Sequence, residues 1–165
     1  MRILVFSDSH CALSFMRYCM DKVKPDAVIH LGDHYEDARA IAEENMSVIF
    51  HQVPGNCDHA RVNATVPQVL CYSVGGVRFF MTHGHKHHVK LGLGALLADA
   101  RRSNAQAVLY GHTHRPDCHC QEDGLWVINP GTCGGYGGTA AIIETQENKI
   151  KACRIVRQAE LEEMI

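Results

Sequence analysis

The chain of 165 residues predicts an α/β protein, a four-layer α-β-β-α sandwich of two mixed sheets flanked by helices. In the first half, short apolar runs alternate with stretches of helical spacing, the pattern of parallel strands joined by right-handed crossover helices. In the second half, a hairpin is followed by several short strands, so that end is expected to be largely antiparallel. Five polar blocks each follow an apolar run: Asp8-Ser9-His10, Gly32-Asp33, Gly55-Asn56, His83-Gly84-His85 and Gly111-His112-Thr113-His114. In open α/β sheets the edge where strands end gathers ligands, because loops meet there without disturbing the core.

The elements follow in order. Ile3–Phe6 is apolar throughout and reads as a buried strand. Leu13 to Val23 carries Leu13, Met16, Met20 and Val23 at helical spacing, and Pro25 stands where a helix should already have stopped. The strand Ala27–Leu31, a helix near Glu36–Asn45 and the strand Val48–Val53 complete the alternation. Val69–Val74 and Val77–Met81 flank Gly75-Gly76, a pair that supplies the positive φ angles of a tight hairpin. Leu91 to Ser103 reads as a helix weakened at its start by Gly92 and Gly94. Ala107–Tyr110, a segment around His119, Leu125–Ile128, Ala140–Glu144 and Ile150–Val156 are the remaining strands, and Ala159 to Ile165 forms a short helix or a frayed tail.

Residues 1–165 are expected to form a single domain, since no linker, repeat or low-complexity segment divides them. Hydrophobic content of 46% and charged content of 21% are those of an ordinary globular protein. A net charge of −2 gives no broad basic field, so duplex nucleic acid is not expected as a partner. No apolar run reaches transmembrane length, and the opening strand leaves no room for a signal peptide. Eight cysteines without a Cys-x-x-Cys pair suit free thiols in a cytoplasmic protein. The sequence leaves a homo-oligomer, such as a dimer, open.

Asp8 and His10 alternate at a strand end, so extended geometry would point both to one side. Asp33 can offer two oxygens, Asn56 a neutral oxygen, and His83, His112 and His114 imidazole nitrogens. Seven oxygen and nitrogen donors suit manganese, iron, zinc, cobalt or nickel better than calcium or a soft thiolate-bound metal.

Asp-x-His, Gly-Asp, Gly-Asn-x-Asp, His-Gly-His and Gly-His-x-His, in this order over nearly the whole chain, resemble the calcineurin-like metallophosphoesterase superfamily. The short length, Gly55-Asn56-Cys57-Asp58 and the Asn129-Pro130-Gly131 turn resemble its small bacterial and archaeal phosphodiesterase branch. The resemblance implies two divalent ions, manganese foremost. One would be held by Asp8, His10, Asp33 and His114, and the other by Asp33, Asn56, His83 and His112, with Asp33 bridging. Such ions about 3.5–4 Å apart share a water and lower its pKa, giving a hydroxide that attacks phosphorus. Asp33, Asn56 and His83 would be central to catalysis, with Asn56 also helping to stabilise phosphoryl charge.

Larger members of the superfamily carry histidine after Gly-Asn, where this chain has Cys57. A thiol is a weak hydrogen-bond donor with a free pKa of about 8.5, so it replaces imidazole badly. Asp58, which would orient that histidine, loses its usual reason. The expected function is therefore hydrolysis of a small phosphodiester that relies on metal activation. A phosphomonoesterase or nucleotidase on the same centre is the alternative. A protein-binding scaffold like the vacuolar retromer subunit is less expected, because the ligands of the first three blocks remain. The neutral charge argues against a dedicated nuclease.

Other residues have plainer readings. His85 is expected to support the site from behind or to cap its loop, and His34 and His59 could line an entrance. His87 and His88, beside Lys86 and Lys90, read as a solvated loop, and Cys11 as packing against the helix start. Cys118-His119-Cys120 lacks further metal ligands and reads as an ordinary strand, and Gly131 to Gly138 as a flexible turn rather than an anion-binding nest.

Overall fold

A computed structural model describes residues 1–163. Its first sheet has the order β10-β9-β1-β2-β3, built from β1 (Arg2–Phe6), β2 (Ala27–His30), β3 (Ile49–Gln52), β9 (Thr139–Gln146) and β10 (Lys149–Arg157). The second has the order β4-β5-β6-β8-β7, from β4 (Val69–Val74), β5 (Val77–Thr82), β6 (Ala107–Leu109), β7 (Asp117–Cys120) and β8 (Trp126–Asn129).

Period-two alternation along these strands builds the layers. Ile3, Val5, Ile29, Phe79, Met81, Leu109 and Ile143 point between the sheets and form the central core. Leu4, Phe6, Val28 and Ile142 point the other way, onto α1 (Leu13–Val23), α2 (Tyr35–Glu44) and α5 (Gln158–Glu162). Phe80, Val108 and Val127 pack under α4 (Gly94–Arg102), through Leu96 and Ala100. This is the α-β-β-α sandwich that the sequence predicts.

Most elements lie where the residue pattern puts them. Helix α1 buries Met16, Met20 and Val23, and it ends at Lys24, whose φ of 48° and N–H bond to the Met20 carbonyl form a left-handed cap ahead of Pro25. Gly75 and Gly76 turn the β4–β5 hairpin with φ of 58° and 79°, pairing Val74 with Val77. Helix α4 starts three residues later than expected, at Gly94, because Gly92 takes a φ of 151° that no helix accommodates. Residues 164 and 165, part of the expected C-terminal helix or tail, lie outside the described residues.

Two features differ from expectation. The second half is largely antiparallel, as expected, through the β4–β5, β7–β8, β9–β10 and β9–β1 pairs, but β5, β6 and β8 run parallel at its centre. Helix α4 carries the chain back from β5 to β6 as a crossover, and β7 goes first to the edge so that β8 can return beside β6. A short helix, α3 (Ala60–Thr65), has no sequence counterpart, since it buries no residue and so shows no apolar stripe.

The parallel strands β1, β2 and β3 therefore end near the ends of β5, β6 and β8, and the five polar blocks meet there. A buried relay ties the first two blocks together. The Gly32 N–H donates to His30 Nδ1 at 3.2 Å, which leaves the ring proton on Nε2, 3.0 Å from Ser9 Oγ. The Ser9 hydroxyl in turn donates to Asp37 Oδ2 at 2.7 Å. Burial pushes the His30 pKa down to about 4, against the pull of Asp58 and Asp37, so the ring is neutral in the folded protein. The unfolded chain takes up a proton near pH 6.5 and the folded one only near pH 4. Stability is thus full above the upper value and falls as pH drops between the two, by roughly 3 kcal/mol for this group. Urea unfolding of wild type and His30→Gln from pH 7 to pH 4 is expected to show a shallower loss in the variant. Equal losses would mean that His30 is not held neutral.

Candidate metal centre

The first polar block does not continue β1 in extended form. Asp8 and His10 have φ of 51° and 41°, so the chain coils after Phe6, and it is this coil rather than strand alternation that turns both side chains inward. Asp33, His112 and His114 are also left-handed, at 60°, 67° and 59°. Non-glycine residues hold such angles only where the surroundings over-determine them, which is common at functional sites.

The structure brings the seven predicted residues together. Asp8, His10, Asp33 and His114 each offer a donor atom, all within 4.8 Å of one another. His114 Nε2 lies 3.0 Å from Asp8 Oδ1, and His10 Nε2 lies 3.9 Å from Asp33 Oδ2. On the other side, His83 Nε2 is 3.0 Å from Asn56 Oδ1, 3.5 Å from Asp33 Oδ2 and 3.9 Å from Asp8 Oδ1. The His112 ring sits 5.1 Å from that of His83. Asp33 thus touches both groups.

The chemistry of this donor set fits a cation. His83 Nδ1 donates to the Leu31 carbonyl at 2.7 Å, which leaves Nε2 as the lone-pair nitrogen. In the neutral ring it faces three oxygens, an arrangement that repels itself unless a proton or a metal stands there. Asp8 Oδ1 is buried without a hydrogen-bond partner, whereas its Oδ2 accepts from Ser7 Oγ and the His112 N–H. The ionisation equilibria show the same demand. Burial lowers the pKa of His83, but bonding to Asp33 and the charge of Asp8 raise it overall. Burial raises that of Asp33, yet His83 and the Cys57 N–H hold the carboxyl well below the usual range. Burial, and then proximity to His83, Lys90 and His85, push His112 down to about 4, leaving it neutral and free to ligate.

Glycines make the convergence sterically feasible. A Cβ at Gly55 would overlap the Asp33 carboxylate, and one at Gly111 would overlap Ser7 Oγ and crowd Asp8 Oδ2. Asp58 has a role other than orienting a histidine. Its carboxylate accepts the backbone N–H groups of Asp33, Tyr35 and Gly55, at 3.0, 2.7 and 2.7 Å, and so ties the second block to the third.

Several supporting residues escaped the sequence reading. Asn63, on the unforeseen helix α3, donates to the carbonyls of Gly55 and Asp58, and Thr132 Oγ1 donates to that of Asp8. Asn129 donates to the Gly111 carbonyl and to Thr113 Oγ1, bracing the fifth block. Only the Asn-Pro-Gly turn gave a signal for any of these.

The plainer readings divide. The His85 ring lies 5.4 Å from that of His83 and 6.1 Å from that of His112, behind the donor cluster. His59 accepts the Arg61 N–H at the start of α3. His87 is not a solvated residue: its side chain is 10% exposed, bonds Asp99 Oδ2 at 3.1 Å and packs edge-on against Phe80. Cys11 lies at the helix start, where its carbonyl accepts the Leu13 N–H, but its thiol is exposed and lies 3.3 Å from His34 Nδ1. Among the described residues, Cys118 and Cys120 join no cluster of metal-binding groups. In the glycine-rich turn, the N–H groups of Gly131 and Gly134 bond Asn129 and Thr132 side chains, so they form no free nest.

Comparison with known proteins identifies the family. A phosphodiesterase of Methanocaldococcus jannaschii is 28% identical over 170 residues, which cover 92% of this chain and 97% of that protein. A conserved uncharacterised protein of Streptococcus pneumoniae superposes with a TM-score of 0.74 at 24% identity, over 96% of this chain and 90% of the other. The Vps29 protein of Entamoeba histolytica, solved with zinc, superposes with a TM-score of 0.71 at 17% identity, over 96% and 99% of the two chains. These last two likenesses show the fold alone. Residues 1–148 match the calcineurin-like phosphoesterase superfamily domain, and the chain belongs to that superfamily.

Proposed function

We propose that this protein is a metal-dependent phosphodiesterase with a dinuclear centre. The observation that carries the proposal is the inward-facing set of donor atoms Asp8 Oδ1, Asp33 Oδ2, Asn56 Oδ1 and His83 Nε2, which a divalent cation would satisfy together. Asp8, His10, Asp33 and His114 would hold one divalent ion, and Asp33, Asn56, His83 and His112 the other. When bound, such ions would activate water near neutral pH and neutralise charge on the phosphoryl oxygens, manganese being the first choice for this donor set. The preference for diesters follows the Methanocaldococcus jannaschii relative, itself a phosphodiesterase.

The chain's own part is orientation. The Cys57 N–H anchors Asp33 Oδ1 at 2.8 Å, so that Oδ2 is left to face His10 and His83. The Leu31 carbonyl fixes the His83 ring, a backbone contact of the kind that sets ligand tautomer and direction. Metal analysis of the purified protein, followed by aryl mono- and diester turnover with each ion added back, tests the proposal. Diester turnover with manganese is expected to lead, and Asp33→Ala is expected to lose it by on the order of a hundredfold or more, together with metal affinity. Greater monoester turnover would make the enzyme a phosphomonoesterase. Bound metal with no turnover of any phosphoester would favour the scaffold reading.

Proton supply to the leaving group is poor. Burial and the nearby charge of Asp33 push the Cys57 thiol up, and Asp58 is fully engaged by backbone N–H groups. The departing oxygen therefore carries most of its developing charge unaided. Single-turnover rates across substituted phenyl diesters are expected to fall steeply as the leaving group becomes more basic. A flat dependence would reveal a general acid and overturn this part of the proposal.

A further inference from the structure

A second cluster of donors stands beside the main one, built from residues that the proposed phosphodiesterase does not use. Cys11 Sγ lies 3.3 Å from His34 Nδ1, and that nitrogen lies 4.0 Å from Asp37 Oδ2. One donor atom from each residue falls within 4.8 Å of the other two. Tetrahedral zinc, with Zn–S of about 2.3 Å and Zn–N of about 2.0 Å, sets sulfur and nitrogen about 3.5 Å apart. The Cys11–His34 pair is already at that spacing, and a small shift of the half-buried His34 ring towards the fixed carboxylate would complete it.

The three side chains have different degrees of freedom. Asp37 is buried and pinned by the Ser9 hydroxyl at 2.7 Å and the Cys11 N–H at 2.8 Å. Behind Ser9 stands the neutral, buried His30. Cys11 is exposed and His34 half-buried, so an ion can arrive from solvent and keep water in its remaining position. Cys11 and His34 both hold left-handed φ, of 67° and 71°, which turns their side chains towards one another.

We propose that Cys11, His34 and Asp37 form a separate site for a thiophilic divalent cation such as zinc or cadmium. Its sulfur donor distinguishes it from the main centre, which offers oxygen and nitrogen alone, so the two sites sort ions by softness. The sites are also neighbours. Cys11 follows His10, His34 follows Asp33, and the His10 and His34 rings are 5.1 Å apart. A cation held there adds positive charge beside the main donor cluster, where an anionic substrate would be attracted.

The test does not depend on phosphoester turnover. Protein saturated with manganese is titrated with cadmium, following the ultraviolet sulfur-to-metal charge-transfer absorption that only a thiolate ligand produces. Absorption saturating with a single equivalent of cadmium is expected. It should vanish in Cys11→Ser, persist in Cys57→Ser, and require at least about tenfold more cadmium in His34→Ala. Absorption that survives Cys11→Ser, disappears in Cys57→Ser or keeps its wild-type affinity in His34→Ala would overturn the proposal. So would the absence of any absorption with equimolar cadmium.

Discussion

Electron-rich atoms forced into one small volume are the constraint on which this structure turns. Two carboxylate oxygens, an amide oxygen and an imidazole lone pair point inward around His83, with distances from its Nε2 of 3.0 to 3.9 Å. Left to themselves such groups separate and seek water. Here they are prevented from doing so by contacts on their far sides. Ser7 and the His112 N–H hold Asp8, the Cys57 N–H holds Asp33, and the Leu31 carbonyl holds His83. The repulsion is balanced within the fold so that a cation can relieve it.

The backbone shows how that balance is maintained. Five of the seven candidate ligands have left-handed φ, and the loops that carry them are closed by side chains rather than by regular secondary structure. Asp58 holds three N–H groups from two loops, and Asn129, at the end of β8, and Thr132, just after it, brace the fifth and first blocks. The absence of a side chain at Gly55 and Gly111 leaves room for carboxylates where a methyl group would collide. Strain, hydrogen bonding and clearance are thus supplied by different residues.

The layers and the donors were legible in the residue pattern because both follow simple periods. Ile3 and Val5 against Leu4 and Phe6 is an alternation that any strand displays, and donors placed just after apolar runs mark loop ends. Helix α3 was not legible, since Ala60 to Thr65 lack an apolar face. The parallel pairing of β8 was hidden because it depends on the excursion of β7 to the sheet edge, a long-range event without a local signal. The coil at Asp8 and His10 was misread as strand, since nothing in their identities announces a positive φ. Cys11 and His34 looked incidental in one dimension, and only the approach of two loops reveals their pairing.

The donor set is divided between distant parts of the chain, and this has a kinetic consequence. Asp8, His10, Asp33 and Asn56 follow strands of the first sheet, and His83, His112 and His114 follow strands of the second. The first sheet itself is incomplete until β9 pairs with β1, bringing residues near 140 against residues near 3. A metal ion held by all seven would therefore find its full coordination only after both sheets have formed and docked. Interactions that form after the transition state slow unfolding without hastening folding. The ion would act as a latch on a finished structure rather than as a template for it.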